Sequence, residues 1–181
     1  MAYTATRAAT AADTARALDV VHRLRASISR YPTVASAESA GYKTSLQGSM
    51  EHMGRMIHMT RPRPLAGIDS FDPATPQAIL YQRDEAGQFR LAGGMFVAPQ
   101  NATEADLDAR VPLSVVRWHR HVDVCRGPKG EMNPRYHQWL TQADCDKAGG
   151  RWRPASRYML HVLVDSGDDL AAAFSQRMGP E

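Results

Sequence analysis

The stretch WHRHVDVC, residues 118–125, brings together side chains that are able to bind a metal ion. His119, His121, Asp123 and Cys125 occupy alternate positions in it. Alternate side chains of a β-strand lie on the same face of the sheet, so the two imidazoles would stand side by side. That arrangement can chelate one metal ion. The alternative is a polar strand whose rings contact solvent or bind backbone carbonyls.

Two further histidines are candidates for the same site. His161 lies between Leu160 and Val162 in an apolar stretch that predicts a strand over residues 157–165. If that strand neighbours the WHRHVDVC strand, His161 supplies a third ligand across the ladder. His58 is the fourth candidate. Three imidazoles around a metal ion leave a position open for water or a small ligand, as in catalytic zinc sites.

The segment MEHMGRMIHM, residues 50–59, carries additional candidate ligands. Its methionines recur every three residues, and thioether sulfur is a soft ligand that suits Cu(I). Such a series is also typical of core packing, because methionine fills irregular gaps. We treat Met53, Met56 and His52 as alternative ligands. A site made of histidines alone fits zinc, copper, iron or nickel, and we expect copper or zinc without being able to choose between them.

Asp123 shares the predicted histidine face. Its carboxylate would accept a hydrogen bond from an imidazole and fix that ring's tautomer, or it is a solvated acid at the end of a strand. No P-loop, Rossmann fingerprint or nucleophile elbow is present in the sequence, so we assign no catalytic residue.

The elements that must position these residues are predicted from periodicity and turn signals. Residues 12–30 have apolar side chains at helical spacing, with Asp13 as the expected cap. Thr33 and Gly41 delimit a second, short helix. Residues 78–83 and 89–98 predict a hairpin. Its turn spans residues 84–87.

The C-terminal half adds further strands and short helices. Residues 113–125 predict the longest strand, and residues 157–165 predict another. Thr141 and Gly149 delimit a short helix between them, and Ser166 is the expected cap of a final helix. The fold class is therefore α+β: N-terminal helices followed by a mainly antiparallel twisted sheet or small barrel.

The length of 181 residues predicts a single domain. Within it we expect a disordered N-terminal arm over residues 1–11, a helical part over 12–48, a sheet part over 49–165, and a C-terminal helix or tail over 166–181. The net charge is only +3, and the 19 arginines are spread along the chain, which argues against nucleic acid as a partner. No apolar run approaches the length of a membrane span.

The two cysteines, Cys125 and Cys145, leave two alternatives open. A disulfide would imply an oxidising compartment, whereas two buried free thiols are equally compatible with the sequence. The N-terminus lacks the apolar core of a signal peptide. We therefore expect a cytoplasmic protein if Met1 is the natural start, or an exported one if a signal has been removed.

The order of motifs resembles that of an uncharacterised bacterial family whose members are mostly secreted. The motifs are AxxAGY, a Met-Gly-His segment, PxxLLY, RWHxHxxxC, CxxAGGxW and MxHV. They correspond here to residues 37–42, 53–58, 76–81, 117–125, 145–152 and 159–162. The similarity covers roughly residues 14–165. The segment at 53–58 departs from the compact Met-Gly-x-His of the family, so either His52 or His58 is the matching ligand.

This resemblance implies a shared metal site at His58, His119, His121 and His161. It also implies export to the periplasm or secretion, and hence a Cys125–Cys145 disulfide. We expect a metal-binding protein outside the cytoplasm, with an enzyme that activates water or a small ligand as one form of it. The alternatives are a non-catalytic copper-handling protein with Met and His ligands, and a structural protein, such as a homo-oligomer, without metal.

Overall fold

The computed structural model describes residues 1–44, 56–127 and 141–175. The predicted ligands His52 and Met53 lie outside the described residues. Those ranges hold five helices and nine strands: α1 Asp13–Ile28, α2 Val34–Ser39, α3 Glu104–Arg110, α4 Gln142–Lys147 and α5 Leu170–Ala173, with β1 Ala2–Tyr3, β2 Lys43–Thr44, β3 Met56–Thr60, β4 Ala78–Arg83, β5 Phe89–Ala98, β6 His119–Arg120, β7 Val122–Arg126, β8 Arg151–Ala155 and β9 Tyr158–Leu163.

Seven of these strands form one sheet in the order β1-β6-β9-β5-β4-β3-β2, and β7 pairs with β8 in a separate two-stranded sheet. Every described pairing is antiparallel. The predicted α+β class with a mainly antiparallel sheet is confirmed at this level. Closure into a small barrel stays a prediction, because the described sheet has edges at β1 and β2.

The helix α1 covers one face of the large sheet. Its buried residues, Ala17, Val20, Val21, Leu24 and Ile28, recur at helical spacing and join the hydrophobic core. The helix crosses β5 closely, since a Cβ on Gly94 would lie 2.8 Å from Leu24 Cδ1. A glycine at this crossing lets the helix approach the sheet backbone. We call this side of the sheet the core face.

The hairpin of β4 and β5 has the predicted bounds and turn. Gly87 takes a positive φ of 79°, and its amide donates to Asp84 O. A register shift occurs between Leu80 and Tyr81, which pair with Gly93 and Leu91. The adjacent glycines Gly93 and Gly94 in β5 are typical of such a bulge or of a close backbone approach. A bulge bends its strand and increases local twist, so it contributes to curvature of the sheet.

The predicted domain boundaries differ from the structure at the N-terminus. Residues 1–11 are not a disordered arm, because Ala2–Tyr3 forms the edge strand β1 beside β6. Arg7 donates to the carboxylates of Asp13 and Asp108, which ties the segment to α1 and α3. The sheet therefore includes strands from outside residues 49–165, since β2 also lies in the predicted helical part.

The predicted long strand over residues 113–125 is wrong. Val115 and Val116 donate to Pro112 O in a turn, and only two short strands, β6 and β7, follow. The strand is interrupted between them because β6 pairs with β9 and β1, whereas β7 pairs with β8. Asp123 accordingly adopts a left-handed φ of 53°. The final helix also begins later than predicted, at Leu170, and is capped by Asp169.

Candidate functional site

The strand β3 presents His58 away from the hydrophobic core. Its neighbours Ile57 and Met59 are fully buried in the core cluster, and His58 lies between them on the opposite side. His58 pairs across the ladder with Leu80, which is fully buried although it does not belong to the core cluster. We call this second side of the sheet, which carries His58, the histidine face.

The strand β9 places His161 on the histidine face. Leu160 and Val162 point into the core, and His161, between them, is 4% exposed. Its direct cross-strand partner is Met95 of β5. Because residues that oppose each other in an antiparallel pair share a face, Met95 also lies on the histidine face.

The short strand β6 brings His119 to the same face. His119 pairs with Met159 of β9, two residues before His161, and with Tyr3 of β1. The preceding Trp118 is fully buried in the core. Its amide donates to the hydroxyl of Thr4, and the Thr4 amide donates to Trp118 O. The N-terminal strand therefore holds β6 in position.

His121 lies where the chain leaves one sheet for the other. Its amide donates to Ser156 Oγ, and its carbonyl accepts from the Ser156 amide. The His121 and His119 rings lie near each other, with centroids 6.1 Å apart. The two rings are thus neighbours as predicted. The expected continuous face through Asp123 and Cys125 is wrong, because β6 ends at Arg120.

The four predicted histidines form one cluster. The ring centroid of His161 lies 5.2 Å from that of His58 and 5.3 Å from that of His119. The Nε2 atoms of His58 and His161 are 3.2 Å apart. In a hydrogen bond between neutral imidazoles, one of these nitrogens donates its proton and the other accepts it.

This contact requires the sheet to curve. β4 and β5 lie between β3 and β9, and three steps of about 4.8 Å would separate their backbones by roughly 14 Å in a flat sheet. Two imidazoles reaching from such a distance would not meet. The histidine face is therefore the concave side of the sheet, and Leu80 of β4 is fully buried.

Burial disfavours the charged form of two rings of the cluster, those of His58 and His161. Burial lowers the pKa of His58 to about 4. The pKa of His161 lies well below its usual value, first because of burial and then because charge on His58, His119 or His121 would repel a proton there. Neutral imidazole is the form that binds metal ions.

The arrangement falls short of a complete metal site. Within residues 1–44, 56–127 and 141–175, no group of three or more His, Cys, Asp or Glu side chains is already placed to hold a metal ion. The Nε2 atoms of His58 and His161 are as close together as two ligands of one metal ion. The ring of His119 neighbours that of His161, and the ring of His121 neighbours that of His119.

The remaining predicted site residues separate into two groups. Met56 shares the histidine face, since it lies two residues before His58 on β3. Asp123 is exposed on β7, which belongs to the small sheet and not to the sheet that carries the histidine face. Met59, from the same methionine series as Met56, is fully buried in the core. A strand, rather than a helix, thus divides these two methionines between opposite faces.

Two residues of the histidine face are not among the site residues predicted from the sequence. Met159 and Met95 are the cross-strand partners of His119 and His161. The spacing of Met159, two residues before His161 in a predicted strand, is a signal that indicates a shared face. Met95 has no such signal, because its position depends on the register between β5 and β9.

The predicted disulfide is present. Cys125 of β7 and Cys145 of α4 are bonded, with their Cα atoms 5.6 Å apart. A Cβ on Gly150 would lie 2.5 Å from Cys125 Sγ and 2.8 Å from Cys145 Sγ, so only glycine fits beside the bond. The disulfide links β7 of the small sheet to α4. Along the chain, α4 is followed by β8 and then by β9.

No protein-family model, curated protein or solved structure matches the chain. Among the described residues, no helix has the length and apolar character needed to cross a membrane.

Proposed function

We propose that the protein binds a divalent transition metal ion on the histidine face, with His58 and His161 as its first two ligands. The main support for this proposal is the 3.2 Å separation of their Nε2 atoms. Two nitrogens bound to one tetrahedral zinc ion at about 2.0–2.1 Å lie about 3.3 Å apart. On metal binding, the proton between them would move to Nδ1 of the donor ring, so that both Nε2 lone pairs are able to bind the ion.

His119 and His121 complete the proposed ligand set. Their rings belong to the same cluster, and each ring would bind the ion through one of its nitrogens. The ligand type is compatible with zinc, copper, iron or nickel. With three imidazoles bound, such an ion keeps a position for water or a small molecule. An enzyme that uses this position is one form of the proposal, and no general base is assigned.

An oxidising location outside the cytoplasm, in the periplasm or the medium, is part of the proposal. The Cys125–Cys145 disulfide supports it, because reducing conditions in the cytoplasm disfavour structural disulfides.

A structural role without metal is the second candidate, and the same contact favours it. His58 and His161 each provide the other with a hydrogen-bond partner, so two imidazoles can be accommodated on this face with their facing nitrogens satisfied. Under this alternative the cluster stabilises the curved sheet or a homo-oligomer. It predicts that added metal changes neither the spectrum nor the stability of the protein.

The deciding experiment is metal analysis of protein purified without a histidine tag. We expect about one equivalent of Zn or Cu after incubation and desalting, and loss of binding in the His58→Ala, His161→Ala double variant. His22→Ala is the matched control, because His22 lies on α1 with its Nε2 2.7 Å from an Asp168 carboxylate oxygen. Binding that is absent from the wild-type protein, or unchanged in the double variant, would overturn the proposal.

Stability provides the second measurement. A ligand that binds only the folded state at 100 times its Kd stabilises that state by about 2.7 kcal/mol. We expect a rise of this order in the wild-type protein and in His22→Ala, and none in the double variant. If the wild-type protein shows no rise in saturating Zn or Cu, the structural alternative is favoured.

A further inference from the structure

We propose that Met95 and Met159 are thioether ligands that adapt the histidine site to Cu(I). This inference rests on the proposed metal site and adds a preference for a soft, reduced ion. It concerns two methionines of β5 and β9 that lie outside the methionine series of residues 50–59.

The strand register places each thioether beside a histidine. Met95 directly opposes His161, and Met159 directly opposes His119. Opposing side chains in an antiparallel ladder have Cβ atoms about 4.5–5.5 Å apart. A methionine side chain has three rotatable bonds and readily directs its sulfur toward a neighbouring ring.

Their packing distinguishes these methionines from core residues. Met59 is fully buried in the hydrophobic cluster. Met95 and Met159 are only partly buried, and they belong neither to that cluster nor to the part-buried side chains packed against it. Core packing therefore does not account for methionine at either position.

Met56 extends the same pattern to β3. It lies two residues before His58 on the same face and is also partly buried. Three strands of the sheet thus place a methionine on the histidine face: Met56 on β3, Met95 on β5 and Met159 on β9.

The ligand chemistry indicates the ion. Thioether sulfur favours Cu(I), whereas imidazole serves copper and zinc alike. Removing the sulfurs should therefore weaken Cu(I) binding and leave Zn²⁺ binding almost unchanged.

The test is an anaerobic competition titration of Cu(I) against bicinchoninate, with ascorbate as reductant. Thiol reductants are avoided because they bind Cu(I) and attack the Cys125–Cys145 disulfide. The test variant is Met95→Leu, Met159→Leu, and its control is Met59→Leu, which makes the same substitution on the core face. Leu for Met conserves volume, and circular dichroism verifies that each variant folds.

We expect at least a tenfold weaker Cu(I) affinity in the double variant, with Zn²⁺ affinity within twofold of wild type. Met59→Leu should retain both affinities. The sulfur shell in the Cu(I) X-ray absorption spectrum should also be reduced in the double variant. Cu(I) affinity within twofold of wild type, with no change in the sulfur shell, would overturn the assignment.

The outcomes separate this inference from the metal site itself. If the protein binds Zn²⁺ through His58 and His161 while the methionine variant keeps full Cu(I) affinity, the metal site stands and the thioether ligands are rejected. If the wild-type protein binds neither ion, both proposals fail.

Discussion

His58 and His161 lie 103 positions apart in the chain, and two strands separate them in the sheet, yet their Nε2 atoms are 3.2 Å apart. Beside this contact, the backbones of β5 and β9 approach each other closely. A Cβ on Gly93 would collide with the carbonyl oxygen of Val162, the residue after His161. The histidine pair and the glycine are therefore parts of one local arrangement.

Replacing Gly93 tests whether the close approach of β5 and β9 requires a glycine at this position. We expect Gly93→Ala to destabilise the fold by about 3 kcal/mol or more, because the methyl group meets backbone and not a movable side chain. Gly87→Ala is the control. Gly87 has a positive φ but open space around it, so a loss of about 1–2 kcal/mol is expected there. Urea denaturation compares the two, and equal losses would contradict the close-approach argument.

The N-terminal strand should matter to the histidine cluster. Thr4 is 3% exposed, and its hydroxyl accepts from the Trp118 amide next to His119. Thr4→Val keeps the shape but leaves that amide without its acceptor, so we expect a loss of about 1–3 kcal/mol. The NMR signals of the His119 ring should shift as well. Thr6→Val, at an exposed threonine of the same segment, should change neither. An unchanged Thr4→Val variant would indicate that the segment does not hold β6.

The disulfide should stabilise the folded chain by restricting the unfolded one. Cys125 and Cys145 are separated by 20 positions, and closing a loop of that length contributes about 3 kcal/mol in the chain-entropy model. We expect the Cys125→Ser, Cys145→Ser variant to lose stability of this order in urea. Adding a reductant should lower the urea-unfolding midpoint of the wild-type protein but not that of the variant. If the urea-unfolding midpoint of the wild-type protein is the same with and without reductant, this prediction is contradicted.

The buried Asp13 carboxylate predicts sensitivity to acid. Asp13 was expected to cap α1 but is its first helical residue, and its side chain is 2% exposed. It accepts hydrogen bonds from Arg7, the Thr10 amide and Ser114. The Arg7 guanidinium, followed by the Thr10 amide, holds the pKa of Asp13 far below its usual value.

The sign of the pH dependence follows from that depressed pKa. The unfolded chain binds a proton near pH 3.9, whereas folded Asp13 resists protonation, so its contribution to stability is complete above that value and is lost as the pH falls further. Asp13→Asn should lower the Tm by several degrees at pH 7, and by less at pH 3. Thermal unfolding at both values measures this. An equal decrease at the two values would show that Asp13 makes no acid-dependent contribution.

Local elements of this protein follow from residues close together in the chain. The Asp84–Gly87 turn defines the β4–β5 hairpin, and Thr33 and Gly41 delimit α2, because turns and caps are satisfied by side chains within a few positions. The alternation of Ile57, His58 and Met59 in a strand likewise determines that His58 faces away from the core once the strand forms.

Non-local pairing decided the rest. Residues 113–125 resemble one continuous strand, but β6 and β7 join different sheets, so the chain turns at His121 and Asp123 and removes Asp123 and Cys125 from the histidine face. The N-terminal segment has no strong strand signal and becomes ordered through β6 and Arg7.

The sequence by itself determined which residue types are available to this site: four histidines in strand-like settings, nearby methionines, and two cysteines able to pair. Only the tertiary structure decided that His58 meets His161 across a curved sheet and that Met95 and Met159 oppose histidines. The physical reason is that strand order, register and curvature arise from contacts between segments far apart in the chain, which local propensities do not specify.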